Sequence, residues 1–192
     1  MNKEILSTNK FRLEFIEENH YSALLKYALN DQLWIYSTIK ISSELDFKEY
    51  FNQALSLANQ TTLKAFVVIE NLTNQAVGMT RLYGFDSKNK SAKIGFTWYA
   101  VEQQGSGINT HVKYLMLQFA FDHLELERIE LNADLRNKRS IAAMNKIGFQ
   151  QEGILRKHIY LPDGHKRDTI VFSMLKEEWK TKYSMHLKEK IQ

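Results

Sequence analysis

The chain has 192 residues, of which 44% are hydrophobic and 12% aromatic, a composition typical of a globular protein with a sizeable core. Cysteine is absent, which excludes disulfides, thiolate metal sites and cysteine nucleophiles. The net charge of +4 is unevenly placed, since residues 1–75 carry −2 and residues 76–192 carry +6. This excess is too dispersed for the basic stripe of a nucleic-acid-binding protein, and we interpret it as a solvated surface.

No apolar run approaches the roughly 18 residues that a membrane-spanning helix needs. At residues 1–6, the acidic Glu4 stands where a signal peptide would continue with apolar residues. These features, with the absence of cysteine, predict a cytoplasmic protein without a membrane partner. No linker, repeat or low-complexity tract divides the chain, so we expect one domain over residues 1–192, with a charged helical tail at 176–192.

The first half of the chain predicts a strand, two helices and a meander of antiparallel strands. Ser43 followed by Glu44 and Asp46 is typical of a helix start, because acidic side chains favour the partial positive charge there. Short polar turns join the later strands, which makes neighbouring strands antiparallel. Strands are indicated at 11–16, 65–70, 76–85 and 92–100, and helices at 19–30 and 42–58.

The second half alternates strands with helices. An apolar stripe of spacing i, i+3, i+4, i+7 predicts a helix at 110–124. Asn137 is a candidate cap for the next helix, and Gly148 stands at its C-terminal stop. Further strands are indicated at 127–133, 149–160 and 166–175. This order of elements predicts an α+β domain with a mixed sheet.

A glycine-bearing loop connects the strand at 92–100 with the helix that follows it. The first turn of a helix has unpaired N–H groups and partial positive charge, which together suit a phosphate. Gly105 and Gly107 let a ligand approach the backbone and permit positive φ. An ordinary strand-to-helix connection has the same pattern. The loop consists of Gln104, Gly105, Ser106, Gly107, Ile108, Asn109 and Thr110.

The glycine loop is the first of three blocks of residues, which follow one another along the chain in the order known from one family. On these blocks the chain resembles the GNAT superfamily of N-acetyltransferases, and within it the RimJ/RimL-like ribosomal-protein N-terminal acetyltransferases. The acetyl-CoA motif of that family is Gln or Arg, two residues, Gly, one residue, then Gly or Ala. Gln104 and Gly107 fit it, whereas Asn109 departs from it and is tolerated if the backbone there is left-handed. The other blocks are Asn137–Ser140 with Lys146–Phe149 and Glu152-Gly153, and Leu155–His158 with Asp163-Gly164 and Arg167-Asp168.

The resemblance implies a GNAT fold, a mostly antiparallel mixed sheet of about seven strands, flanked by helices and splayed at the acetyl-CoA site. It implies acetyl-CoA as co-substrate, with the pyrophosphate on the N–H groups of residues 104–110. The backbone from Tyr99 to Val101 would pair with the pantetheine arm. Asn137 and Ser140 would contact the pantetheine and the thioester, although a helix cap and a first-turn residue explain them equally well. Nearby Arg139 and Lys146 are interpreted as surface charge.

The implied reaction is the attack of an amine on the thioester, after the amine has lost its proton. The backbone N–H of Tyr99 is the candidate for stabilising the oxyanion, and Ser140 the candidate acid near the sulfur. The Glu base and Tyr acid of some family members fall at Asn132 and Met144 here, so the base is elsewhere or is water. In the RimL-like group a Glu candidate falls at Ile159.

Its neighbour His158 is a candidate substitute base, with an ordinary pKa near ~6.5. Strand alternation directs His158 and Ile159 to opposite faces, which weighs against this role. The alternative is a structural or substrate-contacting histidine paired with Asp168. The remaining histidines, His20, His111 and His123, show no metal-ligand spacing, so we expect no metal.

The acceptor is a primary amine, either a protein N-terminus or a small molecule, and Trp34, Tyr36 and Phe85 are candidates for its pocket or for the core. Two other classes of protein remain open at this point. One is a GNAT module that binds CoA without catalysis, because the Glu and Tyr are missing. The other is a basic protein associated with the ribosome or RNA. The resemblance also makes a homodimer possible.

Overall fold

The computed structural model describes residues 6–58 and 63–191, so the first five residues, residues 59–62 and the last residue of the tail lie outside the description. The strands are β1 Leu6–Ser7, β2 Phe11–Phe15, β3 Leu63–Glu70, β4 Gln75–Asp86, β5 Ser91–Tyr99, β6 Arg128–Asp134, β7 Gln150–Tyr160 and β8 Lys166–Leu175. The helices are α1 Tyr21–Ala28, α2 Glu44–Ala58, α3 Ile108–Gln118, α4 Lys138–Ile147, α5 Lys176–Glu178 and α6 Ser184–Lys190, with π-helical turns at Phe119–His123 and Trp179–Tyr183.

The described strands form one eight-stranded sheet in the order β1-β2-β3-β4-β5-β6-β8-β7. Neighbouring strands are antiparallel except β5 and β6, which are parallel. The mostly antiparallel mixed sheet predicted from the sequence is therefore confirmed. The sequence did not indicate β1, because two residues are too few to show an alternation.

Helices cover both faces of this sheet and divide the core into two layers. On one face α1 and α2 pack against β3 and β4, with Phe47, Phe51 and Ala54 fully buried. On the other face α3 and α4 pack together with the C-terminal helical region. Trp179 and Leu187 anchor that region, since both side chains are fully buried and the Trp179 ring packs on Tyr114.

A β-bulge in β5 determines how the sheet opens. Arg81 lies opposite Gly95 and Met79 opposite Trp98, so two residues of β5, Phe96 and Thr97, face one residue of β4. A bulge bends its strand and increases the twist. Phe96 has φ +51°, a conformation that side chains rarely adopt.

The parallel pairing of β5 with β6 is short. It covers only Ser91 to Lys93 against Arg128 to Glu130 and ends just before the bulge. Beyond these residues the two strands separate, and we call the space between them the gap. The splay that the resemblance implied is therefore confirmed.

Trp179→Ala tests the contribution of the C-terminal helical region to the core. We expect the free energy of unfolding to fall by about 3–5 kcal/mol, because a large buried aromatic side chain is removed. Chemical denaturation followed by circular dichroism measures the change.

The matched control is Met185→Ala in the same region, because the Met185 side chain is 73% exposed. We expect it to change stability by less than about 0.5 kcal/mol. Equal effects of the two substitutions would contradict the docking of this region into the core.

Candidate functional site

The glycine loop opens α3 with two left-handed residues. Gly105 has φ +91° and Gly107 has φ +90°, and Gly107 is the N-cap residue. Both residues are exposed. The helix begins at Ile108, two residues before the predicted start, because Gly107 completes the turn.

Three N–H groups of this loop are available to a ligand. Gln104, Ser106 and Thr110 donate theirs to backbone carbonyl groups. The N–H groups that donate to no other described residue belong to Gly105, Gly107 and Asn109. With the partial positive charge at the start of α3, they form a cradle for an anion.

The departure at Asn109 has a different explanation from the one expected. The sequence predicts that Asn is tolerated at this motif position if its backbone is left-handed. Instead, Asn109 lies in the first turn of α3 and is helical. Its Oδ1 accepts a hydrogen bond from the hydroxyl of Tyr99 at 3.2 Å. The side chain thus ties the end of β5 to the start of α3, and burial raises the pKa of the Tyr99 phenol.

The start of α4 lies against the glycine loop. Asn137 caps the helix, as predicted, by accepting the backbone N–H of Ser140 at 3.0 Å. Arg139, interpreted from the sequence as surface charge, donates to Oε1 of Gln104 and joins the two blocks. By contrast, Lys146 is exposed in the last turn of α4.

The end of β5 directs a backbone donor into the gap. Ala100 donates its N–H to the carbonyl of Val77 at 2.7 Å, on the β4 side. Successive strand residues direct their N–H groups to opposite edges, so that of Tyr99 faces the gap. Gly78 lies opposite Tyr99, where a Cβ atom would stand 2.3 Å from the Trp98 carbonyl oxygen. Val101 follows in a short 3-10 turn.

Polar residues alternate along β6, on the other side of the gap. Asn132 donates to Glu130 at 3.0 Å, while its own Oδ1 is buried without a partner among the described residues. Burial raises the pKa of Glu130, but hydrogen bonds from Lys93 and Asn132 outweigh it and the pKa is lowered. Asp134 behaves likewise, because Arg136 outweighs the effect of burial. Neither carboxylate is therefore tuned to accept a proton at neutral pH.

The candidate base His158 lies on the exposed edge strand β7. Leu155 pairs with Thr169 and Ile159 with Arg167, so a wide bulge interrupts the alternation that weighed against His158. Its Nδ1 is 3.1 Å from Oγ1 of Thr169.

The expected pairing of His158 with Asp168 is wrong. The Asp168 carboxylate instead accepts the backbone N–H of Lys157 at 2.6 Å. The bulge of β7 brings that N–H, rather than the imidazole, to the carboxylate. The family's acid position, Met144, is buried in the core.

The three aromatic candidates for the acceptor pocket do not lie together. Trp34 packs on the α1–α2 side of the sheet and Phe85 on the α3 side. Only Tyr36 lies near the end of β6, with the Arg136 guanidinium 5.7 Å from its ring.

Two basic side chains near the bulge, Lys113 and Arg81, are buried, and the sequence did not predict their burial. Lys113 is 4% exposed and donates from Nζ to Oγ1 of Thr97 at 3.0 Å. Burial lowers the pKa of Lys113 to about 7. Arg81 is 2% exposed, and its guanidinium lies over the rings of Tyr50 and Phe96.

Two classes of site are not found in the described residues. No group of His, Asp and Glu side chains there could hold a metal ion. No helix within 6–58 and 63–191 has both the length and the apolarity needed to cross a membrane.

A family model described as an acetyltransferase (GNAT) domain matches residues 10–150. The chain belongs to the GNAT acetyltransferase family. The resemblance inferred from the sequence is confirmed, and the chain is an acetyl-CoA-dependent N-acetyltransferase that acts on an amine.

Curated GNAT relatives include two with ribosomal names. The putative ribosomal N-acetyltransferase YdaF of Bacillus subtilis is 38% identical over 102 residues, which are 53% of this chain and 55% of that protein. The ribosomal-protein-serine acetyltransferase of Escherichia coli is 22% identical over 169 residues, covering 86% and 93% of the two chains.

Solved structures agree with the fold. A putative acetyltransferase from T. thermophilus is 27% identical, with a TM-score of 0.86 over 98% of this chain and 97% of that one. A spermidine N-acetyltransferase from Vibrio cholerae, in complex with CoA and spermine, has a TM-score of 0.77 at 20% identity, over 89% and 98%.

Lys113→Met tests whether this lysine is buried in its neutral form. The lysine pKa falls from its ordinary 10.5 to about 7 on folding, so between these values the unfolded state binds more protons. The free energy of unfolding of the wild type therefore rises with pH in this window. Among the described residues the amine has one hydrogen-bond partner, the hydroxyl of Thr97, which lies 2.8 Å from the hydroxyl of Thr80.

We expect the variant to be more stable than the wild type at pH 7 and to lose this advantage towards pH 10. Urea denaturation at pH 7 and pH 9.5 measures it. The control Lys188→Met, at an exposed residue of α6, should show no such trend. If Lys113→Met changes the free energy of unfolding by the same amount at both pH values, the amine is not buried in its neutral form.

Proposed function

We propose that the gap holds the acetyl-pantetheine arm of acetyl-CoA and that the glycine loop holds its pyrophosphate. The observation that carries this proposal is the convergence of three elements at one place. The N–H groups of Gly105, Gly107 and Asn109 donate to no other described residue, the start of α4 is joined to the same loop through Arg139 and Gln104, and the pairing of β5 with β6 ends before β5 reaches this loop. In this arrangement the phosphates lie at a helix start.

The proposed chemistry uses one backbone donor and one hydroxyl group. The amine nitrogen attacks the thioester carbon, and the resulting oxyanion accepts the N–H of Tyr99, which faces the gap. The C–S bond then breaks, and the departing thiolate takes a proton from the Ser140 hydroxyl, which regains a proton from solvent, so that the proton lost by the amine is balanced by the one gained by CoA. Asn137 supports this role because its bond to the Ser140 N–H fixes the first turn of α4.

A water molecule ordered by Asn132 is the proposed first acceptor of the amine proton. The Oδ1 of Asn132 is buried without a described partner and lies two residues beyond the last pair of β5 with β6. His158 is on β7, two strands from β6, and strand spacing makes that roughly 10 Å. Direct proton transfer needs about 3 Å, which favours the water.

The charges beside the gap favour the N-terminus of a protein or peptide as the acceptor. Lys93 and Arg128 contact Glu130, and Arg136 contacts Asp134, so both acidic residues of β6 are neutralised. A polyamine carries several positive charges and needs unpaired carboxylates. The ribosomal names of two relatives point the same way.

Gly107→Ala tests the pyrophosphate cradle. We expect the affinity for acetyl-CoA to fall roughly tenfold or more, because a side chain at φ +90° strains the turn that directs the N–H groups. Isothermal calorimetry with acetyl-CoA measures this.

The matched control is Gly164→Ala in the β7–β8 turn. Gly164 has φ +84° and, like Gly107, open space around it, so the strain is similar. We expect an equal loss of thermal stability and unchanged affinity. Equal affinity losses, or no binding by the wild type, would contradict the proposal.

Ser140→Ala tests the proposed acid. Because Asn137 binds the backbone N–H, the helix cap survives the substitution. We expect kcat to fall roughly 100-fold with little change in the Kd for acetyl-CoA. Initial rates of CoA release with an N-terminal peptide measure it.

In the same assay, His158→Gln is expected to retain kcat and its pH profile. If the decrease of kcat at low pH disappears in His158→Gln, His158 is instead the base. An unchanged kcat in Ser140→Ala would remove Ser140 from the reaction.

A further inference from the structure

The bulge of β5 is held from both faces of the sheet by two buried basic side chains, Arg81 and Lys113. On the α1–α2 side, the Arg81 guanidinium carbon lies 4.7 Å from the Phe96 ring and 4.2 Å from the Tyr50 ring. On the α3 side, Lys113 donates to Thr97, whose hydroxyl group is 2.8 Å from that of Thr80. Each of the two bulge residues is thus held by one of these basic side chains.

Neither Arg81 nor Lys113 is paired with a carboxylate of the described residues. Arg81 donates to the Tyr50 carbonyl oxygen at 3.3 Å, and its Nε is buried without a described partner. Within residues 6–58 and 63–191, the hydrogen-bond partner of Lys113 is the Thr97 hydroxyl alone. Burying the Arg81 guanidinium without a carboxylate is costly, and so is removing the proton from the Lys113 amine on folding, so apolar side chains of similar volume would stabilise both positions better. The cost argues for a role other than stability.

The conformation of the β5 bulge determines where the reacting groups lie. Phe96 and Thr97 directly precede Trp98 and Tyr99, and the parallel pairing with β6 ends three residues earlier, at Lys93. A change in the bulge would rotate the end of β5 and turn the N–H of Tyr99 away from the gap. An error of about 1 Å in such a donor costs up to 100-fold in rate.

We propose that Arg81 and Lys113 are positioning residues that clamp the β5 bulge from opposite faces and thereby aim the Tyr99 N–H at the acetyl group. The inference rests on the proposed function of the gap. Both residues act through Phe96 and Thr97 and touch no reacting atom.

The experiment compares kcat/KM for acetyl-CoA and thermal stability in two matched pairs. Thr97→Val keeps the shape of the side chain but removes the hydroxyl that binds Lys113, whereas Thr97→Ser restores it. Arg81→Met removes the planar cation, and Lys188→Met removes an exposed one. Lys113→Met completes the set.

We expect Thr97→Val, Lys113→Met and Arg81→Met to lose roughly 10- to 100-fold in kcat/KM. We expect Thr97→Ser to recover most of it and Lys188→Met to match the wild type. The melting temperature of Lys113→Met at pH 7 should be equal to or above that of the wild type. A role in stability alone would not lower kcat/KM without lowering the melting temperature.

Unchanged kcat/KM in the three variants, or losses that only parallel a fall in melting temperature, would overturn the inference. So would equal losses in Thr97→Val and Thr97→Ser. If the wild type binds no acetyl-CoA in calorimetry, the proposed function fails and the inference falls with it. Acetyl-CoA binding and turnover by the wild type, with no effect in the variants, would overturn the inference alone.

Discussion

The β-bulge at Phe96 and Thr97 is the constraint on which the rest of the site depends. It ends the parallel pairing of β5 with β6 after three residues, and so opens the sheet at its centre. A sheet that remained paired there would have no unpaired donor to offer a ligand. The positive φ of Phe96 is the strain that this opening requires, and packing against Arg81 and Tyr83 compensates for it.

Around the gap, two kinds of backbone donor and the start of a helix converge. The glycine loop offers N–H groups at a helix start, the end of β5 offers that of Tyr99, and α4 begins beside them under the cap of Asn137. Arg139 and Asn109 hold these elements to one another. The proposed site is therefore built mainly from main chain, and the groups proposed to hold acetyl-CoA do not include the missing Glu and Tyr side chains.

Local signals in the sequence predicted the elements and the positive φ of the glycine loop. Gly105, Gly107, Asn137 and Gly148 each have the conformation or the cap role that their residue type favours. The bulge could not be predicted, because phenylalanine has no preference for positive φ. Tertiary packing alone imposes that conformation on Phe96. The burial of Lys113 and Arg81 depends likewise on contacts between distant strands and helices. The pairing of His158 with Asp168 failed because the β7 bulge brings the backbone N–H of Lys157, rather than the imidazole, to the carboxylate.

Amide hydrogen exchange with and without acetyl-CoA tests the central claim most directly, because that claim concerns backbone N–H groups. We expect saturating acetyl-CoA to slow exchange at Tyr99, Gly105, Gly107 and Asn109, with no change in the β7–β8 turn. Acetyl-CoA that binds and slows exchange elsewhere, but leaves these four amides unaffected, would contradict the account.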